Sequence, residues 1–283
     1  MQFNSIDFLV FFPAVVLIYW IIPKKVRYLW LLVASYYFYM SWNASYAMLI
    51  GASTLITYVC GLLVEWTGTH EEKRWSVAGK LVVAVGFLSN LGILFFYKYF
   101  DFFLTNLNVV LEHFQKKPLT SSLKVLLPVG ISFYTFQALS YTVDVWRGDV
   151  PAQRSFAKLL LYISLFPQLI AGPIVRYSDV AAQIDDRQFD ASEAFYGATR
   201  FCVGLAKKVL LADAAGKVAS QILDGSLASS TTVAAWLGIL LYTFEIYFDF
   251  SGYSDMAIGL GRLFGFRFLE NFNYPYESRT VTE

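Results

Sequence analysis

The sequence predicts an all-α fold threaded repeatedly through a membrane, and three observations carry that prediction. Hydrophobic residues fill 57% of the 283 positions and charged residues only 15%, against about 25% charge in a soluble domain. Mean hydropathy is +0.51. The charges are also clustered: residues 8–23, 28–64, 81–97, 125–143, 159–175 and 225–244 contain no Asp, Glu, Lys or Arg. A helix crosses the hydrocarbon with about 20 mainly apolar residues, and most of these gaps are near that size. The same figures exclude other classes. With 22 basic and 21 acidic residues there is no basic excess for nucleic acid. Two cysteines and two histidines are too few for a disulfide scaffold or a cysteine-ligated zinc module.

Taken in order, the first apolar run is followed by Pro23-Lys24-Lys25. Positive charge favours the cytoplasmic side, so the N-terminus is expected outside, with Lys24, Lys25 and Arg27 inside. That order of charge is also not the order of a cleaved signal peptide. Residues 28–64 are too long for one span. Ser41-Trp42-Asn43-Ala44-Ser45 divides them into two helices and a tight loop. Apolar residues at 100, 103, 104, 107, 110, 111 and 114 follow helical spacing. Asp101, Asn106, Asn108 and Glu112 lie opposite, which predicts an interfacial helix over 100–114. Pro118 and Ser121-Ser122 predict a break after it.

Gly172-Pro173 interrupts the run before Arg176. Asp190-Ala191-Ser192-Glu193 has the form of a capping box and predicts a helix to about Leu211. Arg200, Lys207 and Lys208 make that helix either amphipathic or buried with its charges paired. Asp224-Gly225-Ser226 and Ser229-Ser230-Thr231-Thr232 predict a polar loop. Ala257, Gly261 and Gly265 recur every four residues and predict close helix packing. With Gly259 they do not make a dinucleotide fingerprint, because the spacing is wrong and no strand precedes. Thr280-Val281-Thr282-Glu283 again has capping-box form, so a helix is expected to begin where the chain stops. Residues 1–283 therefore read as one membrane-embedded unit, cut from a longer protein.

Chemistry concentrates after residue 244. Glu245, Asp249 and Asp255 lie in a mainly apolar run, and ionisable groups at membrane depth usually face a cavity or a partner. Glu245 and Asp249, four apart, share a helix face. Ser251-Gly252 is a candidate helix break that would open backbone groups to a cavity. Arg176 is a candidate partner for the carboxylates or a membrane-edge anchor. His70 lies in a charged run and His113 ends the interfacial segment, so both read as solvated. Cys60 and Cys202 read as small hydrophobes. No metal site and no bound cofactor is predicted.

Lys98-Tyr99-Phe100-Asp101-Phe102-Phe103, Gly130-Ile131-Ser132-Phe133-Tyr134-Thr135-Phe136-Gln137, the stretch from Pro167 to Tyr177, Gly204-Leu205-Ala206-Lys207-Lys208, the stretch from Tyr247 to Ala257 and the stretch from Glu270 to Tyr276 resemble, in order, the membrane-bound O-acyltransferases. The branch that O-acetylates alginate is most similar, and the branch that D-alanylates teichoic acid follows. The resemblance implies a ring of helices around a central tunnel in a bacterial inner membrane. It implies transfer from an acyl thioester donor, acetyl-CoA or an acyl carrier protein, to hydroxyls of an exported polysaccharide. A periplasmic or cell-surface acetyltransferase of the same pathway is an expected partner, beside membrane lipid. The base it implies is a histidine beyond Glu283, matched by neither His70 nor His113, so no catalytic residue is carried over and the chain alone is expected to be inactive. Asp249, Ser251, Tyr253, Asp255, Asn271, Asn273 and Tyr274 match motif positions and are expected, with Arg176, to line the tunnel or position that base. The alternatives are D-alanyl transfer and a transporter or flippase without acyl chemistry.

Overall fold

A computed structural model describes residues 1–67, 76–114, 117, 126–170, 172–173, 175–225 and 231–280. His70, the predicted breaks at Pro118–Ser122 and 226–230, and the end of the Thr280–Glu283 capping box lie outside them. Regular structure among the described residues is helical, without a strand. The chain divides into two compact units. Met1–Phe38, Leu165–Val175 and Asp179–Glu283 form the first, and Tyr39–Ser164 with Arg176–Ser178 the second.

The chain opens with α1 (Ile6–Ile21), capped by the Ser5 side chain, which accepts from Phe8 N. Pro23 ends it, and α2 (Arg27–Met40) follows. The predicted loop at 41–45 is a three-residue connection to α3 (Ala44–Thr67). α4 (Val77–Lys98) and α3 are both long and apolar enough to cross a membrane. α5 (Phe100–His113) occupies almost the predicted 100–114 segment. α6 (Ile131–Arg147) starts and ends at glycines with left-handed backbone, Gly130 at φ 74° and Gly148 at φ 73°. These positions favour glycine because a Cβ is strained there.

In the second unit, α3 packs on α4, α6 and α7 (Phe156–Ser164). Apolar burial gives little drive between helices in lipid, so small residues and polar contacts do that work. Gly61 lies against the Tyr141 ring and Gly86 against Cys60 Sγ. Ser53 Oγ donates to Asn90 Oδ1 at 2.6 Å, and Asn90 Nδ2 donates to Gly86 O at 3.0 Å. The Asn90 amide is therefore satisfied within this seam, its oxygen by Ser53 and its nitrogen by Gly86.

The charge-free run 159–175 is not one crossing helix. α7 ends at Ser164, and the single turn α8 (Phe166–Leu169) follows after Leu165. Pro167 has no N–H to continue a ladder from α7.

α9 (Tyr177–Asp185), which enters the first unit at Asp179, leads to α10 (Ala191–Ala206). The Asp190 carboxylate accepts from Ser192 N and Glu193 N, so the cap forms as predicted. Glu193 does not complete the box: its carboxylate is taken by Arg262 at 2.5 Å and Arg267 at 2.8 Å. Nor does the helix stop near Leu211. It passes through a π-helical segment, Lys207–Ala212, into α11 (Asp213–Leu223).

α12 (Thr232–Leu263) has 32 residues, about 48 Å at 1.5 Å per residue, against a hydrocarbon core of about 30 Å. It is the third helix long and apolar enough to span. It runs unbroken through Ser251-Gly252, contrary to the predicted break. The glycines serve packing instead. A Cβ on Gly252 would sit 2.8 Å from Gly204 O, and one on Gly204 would sit 2.5 Å from Gly252 O. Gly197 and Gly259 meet in the same way, at 2.7 and 2.5 Å. Each pair of glycines on one helix is seven residues apart, two turns, so α10 and α12 touch backbone to backbone at two points.

Packing is thus the right reading of this glycine-rich stretch, with different members. Gly261 faces the Phe268 ring, where a Cβ would come within 2.5 Å. Gly265, at φ 82°, is not on a helix face. Its N–H reaches Arg262 O at 3.0 Å and Phe266 N reaches Gly261 O at 2.8 Å, a Schellman termination. Exposed Leu17, Leu88, Trp236 and Ile239 give these helices apolar outer faces, as lipid-facing surfaces require.

Candidate functional site

The acidic residues of α12 face the π-helical segment between α10 and α11 of the first unit. Asp249 Oδ1 lies 2.7 Å from Lys208 Nζ, which also lies 3.0 Å from Asp213 Oδ1. Asp255 accepts from Lys207 Nζ at 2.6 Å and from Arg200 Nε and Nη2 at 3.1 and 2.9 Å. Arg200 continues to Glu270 in a two-point contact and to the Tyr196 hydroxyl at 2.7 Å. Glu245 occupies the space that the missing side chain of Gly216 leaves, since a Cβ there would meet Oε1 at 2.6 Å. Glu245 and Asp249 therefore share one face, as their spacing predicts.

The local geometry explains why two neighbouring lysines reach carboxylates six residues apart. A Cβ on Gly252 would lie 3.1 Å from both Lys207 Cβ and Lys208 N. The two lysines pass on either side of this glycine, one toward Asp249 and one toward Asp255. The π segment begins at Lys207. Such bulges often occur at functional sites, and here the change of pitch falls where the lysines diverge.

The two ends of this cluster differ in exposure. The Asp255 side chain is 14% exposed and that of Arg200 17%, while Asp249 is 51% exposed. Asp255 is structural in character: a partly buried carboxylate holding α10 to α12 through two cations. Asp249 instead opens on a cavity of about 270 Å³. Lys208, Tyr253, Met256 and Phe250 line that cavity together with Phe3 and Asn4 from the N-terminal segment. The Tyr253 ring stacks on Phe3, with centroids 4.7 Å apart. The cavity thus joins an apolar wall to one ammonium–carboxylate pair.

Of the predicted residues, Asp249 and Tyr253 meet at this cavity and Asp255 lies in the ion cluster behind it. Ser251 is buried on α12 away from the cavity lining, and its Oγ has no hydrogen-bond partner among the described residues. Asn271, Asn273 and Tyr274 lie exposed in the irregular chain after α12. Tyr274 adopts a left-handed backbone, φ 45°, just before Pro275. Arg176 is exposed and belongs to the second unit. The partners found for Asp249 and Asp255 are Lys208, Lys207 and Arg200. The sequence offered a signal for these, since charges on a mainly apolar helix require partners. It offered none for Phe3 and Asn4.

His113 is exposed at the end of α5, Cys60 is buried and Cys202 exposed. Among the described residues no three His, Cys, Asp or Glu side chains are grouped as metal ligands.

Residues 95–281 match the model of the MBOAT, membrane-bound O-acyltransferase family. The "probable alginate O-acetylase" of Azotobacter vinelandii is 42% identical over 286 residues, covering 100% of this chain and 55% of the relative. The protein of the same name in Pseudomonas aeruginosa is 41% identical over 286 residues, covering 100% of this chain and 53% of its own length. The peptidoglycan O-acetyltransferase of Helicobacter pylori is 34% identical over 283 residues, 90% of this chain and 51% of the relative. The chain spans about half the length of the curated relatives it matches. With three helices among the described residues able to cross a bilayer, it is an integral membrane protein, and it belongs to the membrane-bound O-acyltransferase family.

Proposed function

We propose that this chain is the donor-side scaffold of a membrane O-acetyltransferase that modifies hydroxyls of an exported polysaccharide of the alginate kind. The observation that carries the reading is the similarity to alginate O-acetylases along the whole chain, together with a cavity where Asp249, Lys208 and Tyr253 meet. The named relatives are O-acetylases or O-acetyltransferases, which favours acetyl over D-alanyl transfer.

A hydroxyl becomes a nucleophile only when a base takes its proton. His113 is not among the lining residues, so the lining residues described serve binding and orientation. Lys208 presents an ammonium to the carbonyl oxygen of an acyl thioester, and Asp249 fixes that ammonium in place. The apolar wall of Phe3, Phe250 and Met256 excludes water that would hydrolyse the thioester. The donor is acetyl-CoA or an acyl carrier protein, and a periplasmic or cell-surface acetyltransferase takes up the acetyl group where polysaccharide is not the direct acceptor. The site residues line or support a path between the two faces of a bacterial inner membrane, and α5 lies along the membrane interface.

Isotopically labelled acetyl donor, supplied to membrane vesicles containing the complete gene product, tests this. The expected result is label covalently bound, as an alkali-labile ester, to polysaccharide or to the partner transferase. Movement of acceptor across the membrane without esterification would instead make the protein a transporter.

A further inference from the structure

The first unit contains a second cavity, of about 230 Å³, where the C-terminal end of α1 meets the loop before α10 and the end of α12. Arg187 lines it and is only 5% exposed. Its Nε donates to the Tyr19 hydroxyl at 2.6 Å, and its guanidinium lies 4.5 Å from the Phe266 ring centre. Its Nη1 is buried and has no hydrogen-bond partner among the described residues. A buried guanidinium with an unused donor is unfavourable, and burial holds its pKa below the ordinary arginine value.

The carboxylates at this cavity are committed elsewhere. Glu193 is shared by Arg262 and Arg267. Asp190 caps α10, and Asp186 lies 3.6 Å from Lys24. Beside the nearby charge of Asp185, the unused Nη1 donor can take an acceptor from outside the chain.

The cavity adjoins a larger open groove of about 860 Å³. Trp20, Gln188 and Phe189 line both. Val16, Leu17 and Ile21 of α1 form the groove's apolar floor, and Lys24 and Arg27 its basic end. Leu17 and Ile21 are 65% and 81% exposed. An apolar channel along the apolar helix α1 that ends in cations beside an unsatisfied arginine has the shape and polarity of one amphiphile. We propose that this groove and cavity bind an anionic phospholipid, with its phosphate at Arg187 and Lys24 and an acyl chain along Val16, Leu17 and Ile21. Basic pockets at the cytoplasmic ends of membrane helices suit anionic headgroups, and Lys24, Lys25 and Arg27 mark that end of α1.

The test uses the complete protein in nanodiscs containing equal phosphatidylglycerol and phosphatidylcholine, extracted into detergent and analysed by native mass spectrometry for retained lipid. Phosphatidylglycerol should be retained in preference to phosphatidylcholine, and millimolar inorganic phosphate should not displace it. Arg187→Gln should weaken that retention about tenfold or more, the scale of one lost charge-assisted contact. Phe189→Ala, at a position 60% exposed and touching Trp20 edge-on, should weaken it several-fold. Equal retention of the two lipids, displacement by phosphate alone, or unchanged retention in both variants would overturn the proposal. If Arg187→Gln does not fold, unchanged retention in Phe189→Ala overturns it.

Discussion

Gly252 decides whether α12 can hold the ion cluster against α10, and replacing it with alanine probes that directly. A Cβ at 252 would stand 2.8 Å from Gly204 O, where ordinary van der Waals contact begins near 3.4 Å. The atom opposite is backbone, so no rotamer can relieve the clash. The helices must separate by about 0.6 Å, which disturbs a close-packed seam. Overpacking of this kind costs about 1–3 kcal/mol. Alanine's better helix propensity returns up to about 1 kcal/mol. The net expectation is a loss of about 1–2 kcal/mol, or roughly 2–8 °C in unfolding midpoint.

Gly92→Ala is the internal control. It also lies mid-helix, but a Cβ there meets nothing within 4 Å. It should leave the midpoint unchanged or slightly raised. Both variants are read by thermal unfolding of the detergent-solubilised protein. Equal midpoints for Gly252→Ala and Gly92→Ala would refute the backbone-to-backbone seam.

Three further outcomes are expected. Asp255→Asn takes the carboxylate partner from Lys207 and leaves Arg200 to Glu270 and Tyr196, and should destabilise by about 1–3 kcal/mol, seen as a lower unfolding midpoint. Asn90→Leu removes the hub that joins Ser53 and Gly86 and should cost about 1–2 kcal/mol in the second unit, read by hydrogen exchange across α3 and α4. Asp190 is held below the usual carboxylate range by hydrogen bonds from Ser192 and Glu193. A carboxylate with a depressed folded pKa contributes stability above its unfolded value, near 3.9, and loses it as pH falls below that. Acid unfolding of the wild type should therefore steepen below about pH 4 relative to Asp190→Asn, which keeps a neutral cap.

The helices were legible in the sequence where one signal dominated. The 41–45 loop, the 100–114 helix and the Asp190 cap follow from composition and local spacing, which act within a few residues. The misreadings share a different cause. Ser251-Gly252 has the local chemistry of a break, yet α10 approaches there and the glycine becomes a contact point. Gly265 continues a four-residue rhythm but ends the helix, because its positive φ is set by the turn that follows. Glu193 has the local form of a box residue and is captured by Arg262 and Arg267, seventy residues on. Periodicity cannot distinguish such outcomes, since each depends on a partner distant in sequence. The same holds for the site. Asp249 and Asp255 are visible as charge in an apolar run and Tyr253 as a motif position of the resemblance, whereas Phe3 reaches the cavity only through the fold.

Asp249 is half exposed and faces the cavity rather than the seam. Its ion pair with Lys208 should contribute no more than about 1 kcal/mol to stability. The most direct measurement is the rate of acetyl transfer by Asp249→Asn in the complete gene product, normalised to folded protein in the membrane. A rate lower by about tenfold or more, with an unfolding midpoint close to wild type, is the predicted result. A wild-type rate would contradict the claim that this cavity is where transfer takes place.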